Sequence, residues 1–201
     1  MTTADTLLLL SGGMDSIALA WWLRPRLAVT IDYGQLPVAG EIEAARAVCT
    51  ELCIEHVLVS LDAHDLGSGD MAGTAPSPLA PVSEWWPYRN QLLITVAAAV
   101  ALKHGVSKLS FGAVATDGAH IDGQPRFFDL MRQLVELQEG SVSLETPAIG
   151  ETTSMLCRRV AVPFEVLAWA HSCHVASVAC GRCRGCFKHR DTMRDLGYGE
   201  Y

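Results

Sequence analysis

The sequence predicts an α/β protein, a doubly wound parallel sheet followed by a helical segment rich in cysteine. Three observations predict it. Short apolar runs without polar alternation recur (TLLLL at 6–10, RLAVTID at 26–32, HVLVSL at 56–61), as expected for strands covered on both faces. Helix-length stretches with 3.6-residue periodicity separate them. Four of the seven cysteines crowd into residues 173–186, and serine, glycine and aspartate follow the first apolar run at once.

In order, 6–10 reads as a buried strand and 15–23 as a helix. A second strand spans 26–32. Residues 38–53 form an amphipathic helix with Glu41, Glu43, Arg46 and Glu51 outward, and 56–61 is a third strand. Residues 62–87 carry Gly, Pro, Ser and Asp without periodicity, the pattern of a lid or binding loop. Residues 88–104 then read as a helix stopped by Gly105, and 108–114 as a fourth strand. Residues 127–139 form an amphipathic helix, and 144–147 a short extended piece. Helix, cysteine-rich loop and a short basic helix complete the chain. The boundary expected from this order puts an α/β domain at 1–150 and the helical cysteine segment at 151–201.

Composition narrows the class. Half the residues are hydrophobic and 18% are charged, enough for a sizeable core. The formal charge of −7 argues against nucleic-acid binding, which needs clustered Lys and Arg. One local basic patch, Arg182, Arg184, Lys188, His189, Arg190 and Arg194, is the exception. No cationic leader precedes the leucine run, and the longest apolar stretch, 92–102, is too short to span a bilayer. A cytoplasmic protein is expected, where clustered cysteines bind metal more often than they pair.

The loop SGGMDS at 11–16 sits where a strand hands over to a helix. In open α/β sheets ligands lie beyond the carboxyl ends of the strands. Glycine permits close backbone approach, and the amides of the loop and the helix start favour an anion such as phosphate. Walker A and GxGxxG spacings are absent. The loop resembles the SGGxDS signature of the PP-loop ATP pyrophosphatases, which have an adenine nucleotide alpha hydrolase-like fold, and it matches at Ser11, Gly12, Gly13, Asp15 and Ser16. Further along stand IDYGQ (31–35), PYRNQLL (87–93), FGAVATD (111–117), ETPAI (145–149) and CGRCRGC (180–186). This order resembles the 7-cyano-7-deazaguanine synthase family over nearly the whole chain.

The resemblance implies an ATP-dependent ligase that adenylates a deazaguanine carboxylate and joins ammonia, giving an amide and then a nitrile. ATP would bind at Ser11, Gly12, Gly13, Asp15, Ser16, Asp32 and Tyr33. Asp15 and Asp117 would face Mg²⁺ or order the loop, and with Ser16 and Arg89 they are the expected catalytic residues. Arg89, Asn90, Asp122 and Arg126 are the expected substrate contacts, since arginine grips carboxylates in bidentate fashion and asparagine reads a base edge. Cys173, Cys180, Cys183 and Cys186 suit tetrahedral Zn²⁺, with an iron–sulfur cluster as the rival. The other three cysteines, Cys49, Cys53 and Cys157, read as small core residues. Bland readings stand beside several of these: Asp32 as a turn cap, Asn90 as a helix cap, Asp117–Gly118 as a turn, and Trp85 and Trp86 as packing.

Three stretches depart from the family pattern. Leu36–Pro37 replaces a basic pair after DYGQ, DGAHIDGQPR at 117–126 replaces a DYSGYPDCR-like segment, and no lysine opens the helix after the TP element. The nucleotide half is thus kept and the acceptor half altered. The alternatives left open are ligation of a deazaguanine-like carboxylate to another amine, on a protein partner or in an antiviral setting, and a non-catalytic nucleotide-binding module. A homodimer is also left open.

Overall fold

In a computed structural model the described residues are 4–199. Five strands, β1 (Ala4–Leu9), β2 (Pro25–Asp32), β3 (Glu55–Ser60), β4 (Lys108–Ser110) and β5 (Ser143–Glu145), form one sheet ordered β3-β2-β1-β4-β5. Every pairing is parallel, with Leu8 opposite both Ala28 and Ser110. Helices are α1 (Met14–Leu23), α2 (Val38–Leu52), α3 (Arg89–Lys103), α4 (Pro125–Glu136), α5 (Thr153–Val160), α6 (Phe164–Leu167) and α7 (Arg184–Asp195).

The period-2 geometry of β1 divides the core. Leu7 and Leu9 enter one cluster with Ile94 and Ala97 of α3 and Phe128 and Met131 of α4. Leu8 and Leu10 enter the other with Ile17 of α1, Val48 of α2, Leu156 of α5, Leu167 of α6 and Met193 of α7. Both faces are therefore covered, which is why the strands read as unbroken apolar runs. The C-terminal helices share this second cluster with the sheet. β1 and β4 are neighbours whose following chains run to opposite edges, so their carboxyl ends open the crevice where such sheets hold ligands.

Several boundaries differ from expectation. β4 spans only three residues; Phe111 N still donates to Glu145 O of β5, and the chain beyond turns towards the crevice, where Ala115 N donates to Glu151 O. α4 begins at Pro125, a residue suited to the first helical position, two residues before the expected start. Cys53 is exposed at the left-handed end of α2 instead of in the core. The segment 61–88 is no open loop: it buries Met71, Ala72 and Trp86, and Trp86 meets Tyr33 edge-on at 4.9 Å.

Two glycines let α2 approach its neighbours. A Cβ at Gly12, where φ is +77°, would lie 2.6 Å from Glu41 O. A Cβ at Gly40 would lie 2.5 Å from Ser177 O and 2.8 Å from the His171 ring. On a solvated helix Gly→Ala adds about 1 kcal/mol of stability. Here Gly40→Ala is expected to lose roughly 1–3 kcal/mol through overpacking against the cysteine segment. Urea denaturation measures it, and a stabilised variant would show that the segment yields freely.

Candidate functional site

One cavity of about 790 Å³ opens at the ends of β1 and β4. Its floor is the 11–16 loop, and α1 begins there with Gly13 as an N-cap that offers no side chain. The first amides of α1 thus have no intrahelical partner, and the residues that carry them line the cavity. Hydroxyls close the turn: Ser16 Oγ donates to Gly13 O at 2.9 Å and lies 3.3 Å from Ser11 Oγ, which accepts from Gly13 N at 3.4 Å. His171 N donates to Gly12 O at 2.9 Å and ties the loop to the C-terminal segment. Thr152, Thr153 and Ser154 at the start of α5 add a second hydroxyl wall that no motif announced.

Asp15 and Asp117 are brought together by Lys188 of α7, whose Nζ lies 3.3 Å from Asp15 Oδ2 and 3.4 Å from Asp117 Oδ1. Burial pushes the Asp15 carboxyl up, with Lys188 the strongest opposing influence. Asp15 Oδ1 and Thr153 Oγ1 are buried side by side, and the Thr153 hydroxyl favours the Asp15 charge as a neighbouring donor. Burial works against the Lys188 charge, but the two carboxylates outweigh it and hold the ammonium above its ordinary value. Asp117 Oδ2 also accepts from Val114 N, which fixes the turn after β4.

Arg89, in the first turn of α3, faces the cavity. Its Nη1 donates to Met71 Sδ at 3.1 Å, a weak acceptor, and no carboxylate lies within ion-pair distance among the described residues. Burial disfavours its charge, but Tyr33 and the carboxylates of Asp122, Asp117 and Glu41 more than compensate. Asn90 also lines the cavity, and its Nδ2 donates to Asp122 O at 2.9 Å. Asp122 in turn caps α3, accepting from Asn90 N at 3.3 Å.

Other expected residues stand differently. Asp32 does not line the cavity; its Oδ1 accepts from Gly34 N at 3.0 Å, the work of a turn cap. Tyr33 lines it from a buried position, and burial pushes its phenol well up. Asp122 and exposed Arg126 lie outside the lining. Glu41, expected outward, turns inward to line the cavity, and Gln35 Nε2 donates to its Oε2 at 2.8 Å. Glu84 and Arg184 pair across one wall at 2.8 Å, beside His174.

The four clustered cysteines meet beside this wall. Their Sγ atoms all lie within 4.8 Å of one another, with separations of 3.5 Å between Cys183 and Cys186 and 3.9 Å for Cys180–Cys186 and Cys173–Cys183. Four thiolates around one tetrahedral ion with metal–sulfur bonds of about 2.3 Å would sit about 3.8 Å apart. A cubane cluster would hold them around a larger body. His174 N and Cys186 N both donate to Cys183 Sγ at 3.4 Å. The set could hold a metal ion. It also fixes α7, because Cys183 is that helix's N-cap. Gly185 permits the packing: a Cβ there would meet Ser172 O at 1.9 Å.

Comparison with known proteins gives one consistent result. The sequence profile described as queuosine biosynthesis protein QueC matches residues 5–197. A 7-cyano-7-deazaguanine synthase of Methanoculleus marisnigri is 30% identical over 94% of this chain and 93% of its own. One from Desulfitobacterium hafniense is 28% identical over 93% of this chain and 90% of its own, and one from Porphyromonas gingivalis 29% over 96% and 94%. Among solved structures, the U34-tRNA thiolase NcsA from Methanococcus maripaludis, with its 4Fe-4S cluster, shares the fold at a TM-score of 0.53. It is 16% identical and covers 96% of this chain and 65% of the thiolase.

Glu41 carries a testable electrostatic signature. Burial pushes its carboxyl up to about 7, against the opposing pull of Gln35 and Arg89. The folded state therefore holds this proton when the unfolded chain has already released it. The associated stability is complete below the ordinary carboxylate value of 4.5 and is lost as pH rises towards 7. Relative to Glu41→Gln, the wild type is expected to lose up to about 1.4 kcal/mol per pH unit across that window and to level off above it. Urea denaturation of both proteins from pH 5 to 8 measures it; a pH-independent difference would show that the carboxyl ionises freely.

Proposed function

The chain belongs to the QueC family, and from that premise we propose that it is a 7-cyano-7-deazaguanine synthase, an ATP-dependent carbon–nitrogen ligase. The observation that carries this is a single cavity shared by two anion receptors. One is the uncapped start of α1 with the Ser11 and Ser16 hydroxyls, and the other is the Arg89 guanidinium without a carboxylate partner.

The chemistry follows from the substrate. A carboxylate resists attack by ammonia, because oxide is a very poor leaving group. Attack of a carboxylate oxygen on the α-phosphorus of ATP releases pyrophosphate and makes AMP the leaving group. Ammonia then displaces AMP to give the amide. Activation of the amide oxygen by a second ATP, followed by loss of AMP and protons, gives the nitrile. Arg89 would hold the acceptor carboxylate, with Asn90 at its base edge. The amides of α1, Ser11 and Ser16 would hold the departing pyrophosphate, where negative charge builds. Mg²⁺, when bound, supplies charge neutralisation at the phosphates, and Asp15 and Asp117 are its donors on this chain. Two buried or half-buried carboxylates close enough to share one ammonium fit that role.

The four-cysteine set would hold Zn²⁺ as a closed structural site, since all four positions are thiolates and none is left for water. Sulfur separations near 3.8 Å support a single ion over a cluster. No helix among the described residues is long and apolar enough to cross a membrane. An ATP-consuming biosynthetic reaction of this kind fits the cytoplasm.

Incubation with ATP, ammonia and 7-carboxy-7-deazaguanine is expected to yield the nitrile by mass spectrometry, with release of pyrophosphate. Absence of both would overturn the reading. Ser11→Ala is expected to lower kcat/KM for ATP about 10-fold to 100-fold, the scale of one lost phosphate donor; an unchanged value would exclude the loop from phosphate binding. Metal analysis of the purified protein is expected to return one zinc per chain, and iron with visible charge-transfer absorption would replace zinc by a cluster.

A further inference from the structure

Lys188 was legible in the sequence only as one member of a basic patch, yet it stands at the centre of the cavity. It projects from α7, four residues after Arg184 and on the same helical face, and both line the wall. Its backbone is anchored by Cys183 and Cys186. Its Nζ stands between Asp15 Oδ2 and Asp117 Oδ1 at 3.3 and 3.4 Å. Committed ammonium–carboxylate bonds are shorter, about 2.7–2.9 Å. The ammonium is thus shared loosely between two acceptors, and its side chain keeps 39% exposure towards the cavity.

Charge balance gives this position its meaning. Two carboxylates against one ammonium leave this group net negative, and Glu84, Asp191 and Asp195 outnumber Arg89 and Arg184 on the rest of the lining. Such a site repels a triphosphate unless more positive charge arrives. A divalent ion taken up by Asp15 and Asp117 would reverse the sign, and it would remove the reason for Lys188 to stay between them. Asp15 Oδ1 and Thr153 Oγ1, buried beside one another, are further oxygens on the same side of the cavity. The flexible four-carbon stem lets Nζ swing without moving α7.

Resting on the ATP-binding reading above, we propose that Lys188 is an exchangeable cation: it neutralises the Asp15–Asp117 pair in the empty site and transfers to the phosphates of ATP when a divalent ion takes its place. In the empty enzyme Lys188 competes with the metal; in the nucleotide complex it works with it. A purely structural lysine would do neither.

Lys188→Met separates these roles. Mn²⁺ binding, read by the free-ion electron paramagnetic resonance signal, is expected to tighten about threefold or more without nucleotide, since the competitor is gone. Binding of Mn²⁺–ATP is expected to weaken about tenfold or more, since one charged phosphate contact is lost. Lys188→Arg, which keeps the charge, is expected to hold both constants within about threefold of wild type. Any result other than the opposed pair in Lys188→Met overturns the exchange.

A second measurement needs no variant. With limiting amine-reactive reagent and peptide mass spectrometry, Mg²⁺ alone is expected to speed labelling of Lys188 severalfold, and Mg²⁺–ATP to slow it below the ligand-free rate. Lys103 and Lys108 are the internal references. Labelling of Lys188 that ignores both additions overturns the proposal. A wild type that binds Mn²⁺–ATP normally while either test fails sinks Lys188 alone; a wild type that binds no ATP sinks the nucleotide reading as well.

Discussion

The rest of the molecule depends on how tightly the first strand-to-helix turn is gripped. Gly12 lies in the left-handed region with its missing Cβ pressed against the backbone of α2, and its carbonyl accepts from His171 of the C-terminal segment. Three parts of the chain meet at that residue: the sheet behind it, α2 on one side and the cysteine segment on the other. A turn held this way keeps its amides pointed into the cavity without a ligand to organise them. That is preorganisation in the sense required for stabilising charge that appears only during a reaction.

The cysteine set extends the same grip. It is a small body in which the backbone amides of His174 and Cys186 point at one thiolate, and a metal there would brace the start of α7. Arg184 and Lys188 follow in the first turns of α7, so the wall opposite the 11–16 loop is tied to the cysteine set that begins it. Glu84 meets Arg184 from the segment 61–88, and Trp86 locks that segment onto Tyr33 at the end of β2. The acceptor side is thereby built from parts that sequence comparison would place far from one another.

Much of the fold and the first strand-to-helix turn was legible because the signals are local. Unbroken apolar strands, glycines beside hydroxyls and cysteines two residues apart encode geometry within a few positions. What escaped was set by distance. Lys188 meets Asp15 across 173 residues, and nothing beside it in sequence marks it out from its basic neighbours. Glu41 occupies a polar position on an amphipathic helix, and only the approach of Gln35 and the cavity shows that this side of the helix start faces inward. Asp32 and Asn90 carry motif positions yet spend their polar atoms partly on turns and caps, because a strand end and a helix start must satisfy their own amides first.

The distance between Asp15 and Lys188 has a consequence for synthesis on the ribosome. The 11–16 turn leaves the exit tunnel early, whereas Lys188 on the helix that completes the cavity is translated 173 residues after Asp15. A polypeptide interrupted anywhere between them carries the signature motif but lacks the wall opposite it, and with it the ammonium that balances the paired carboxylates. Premature products therefore leave the cavity open on one side, and it is complete only when α7 docks.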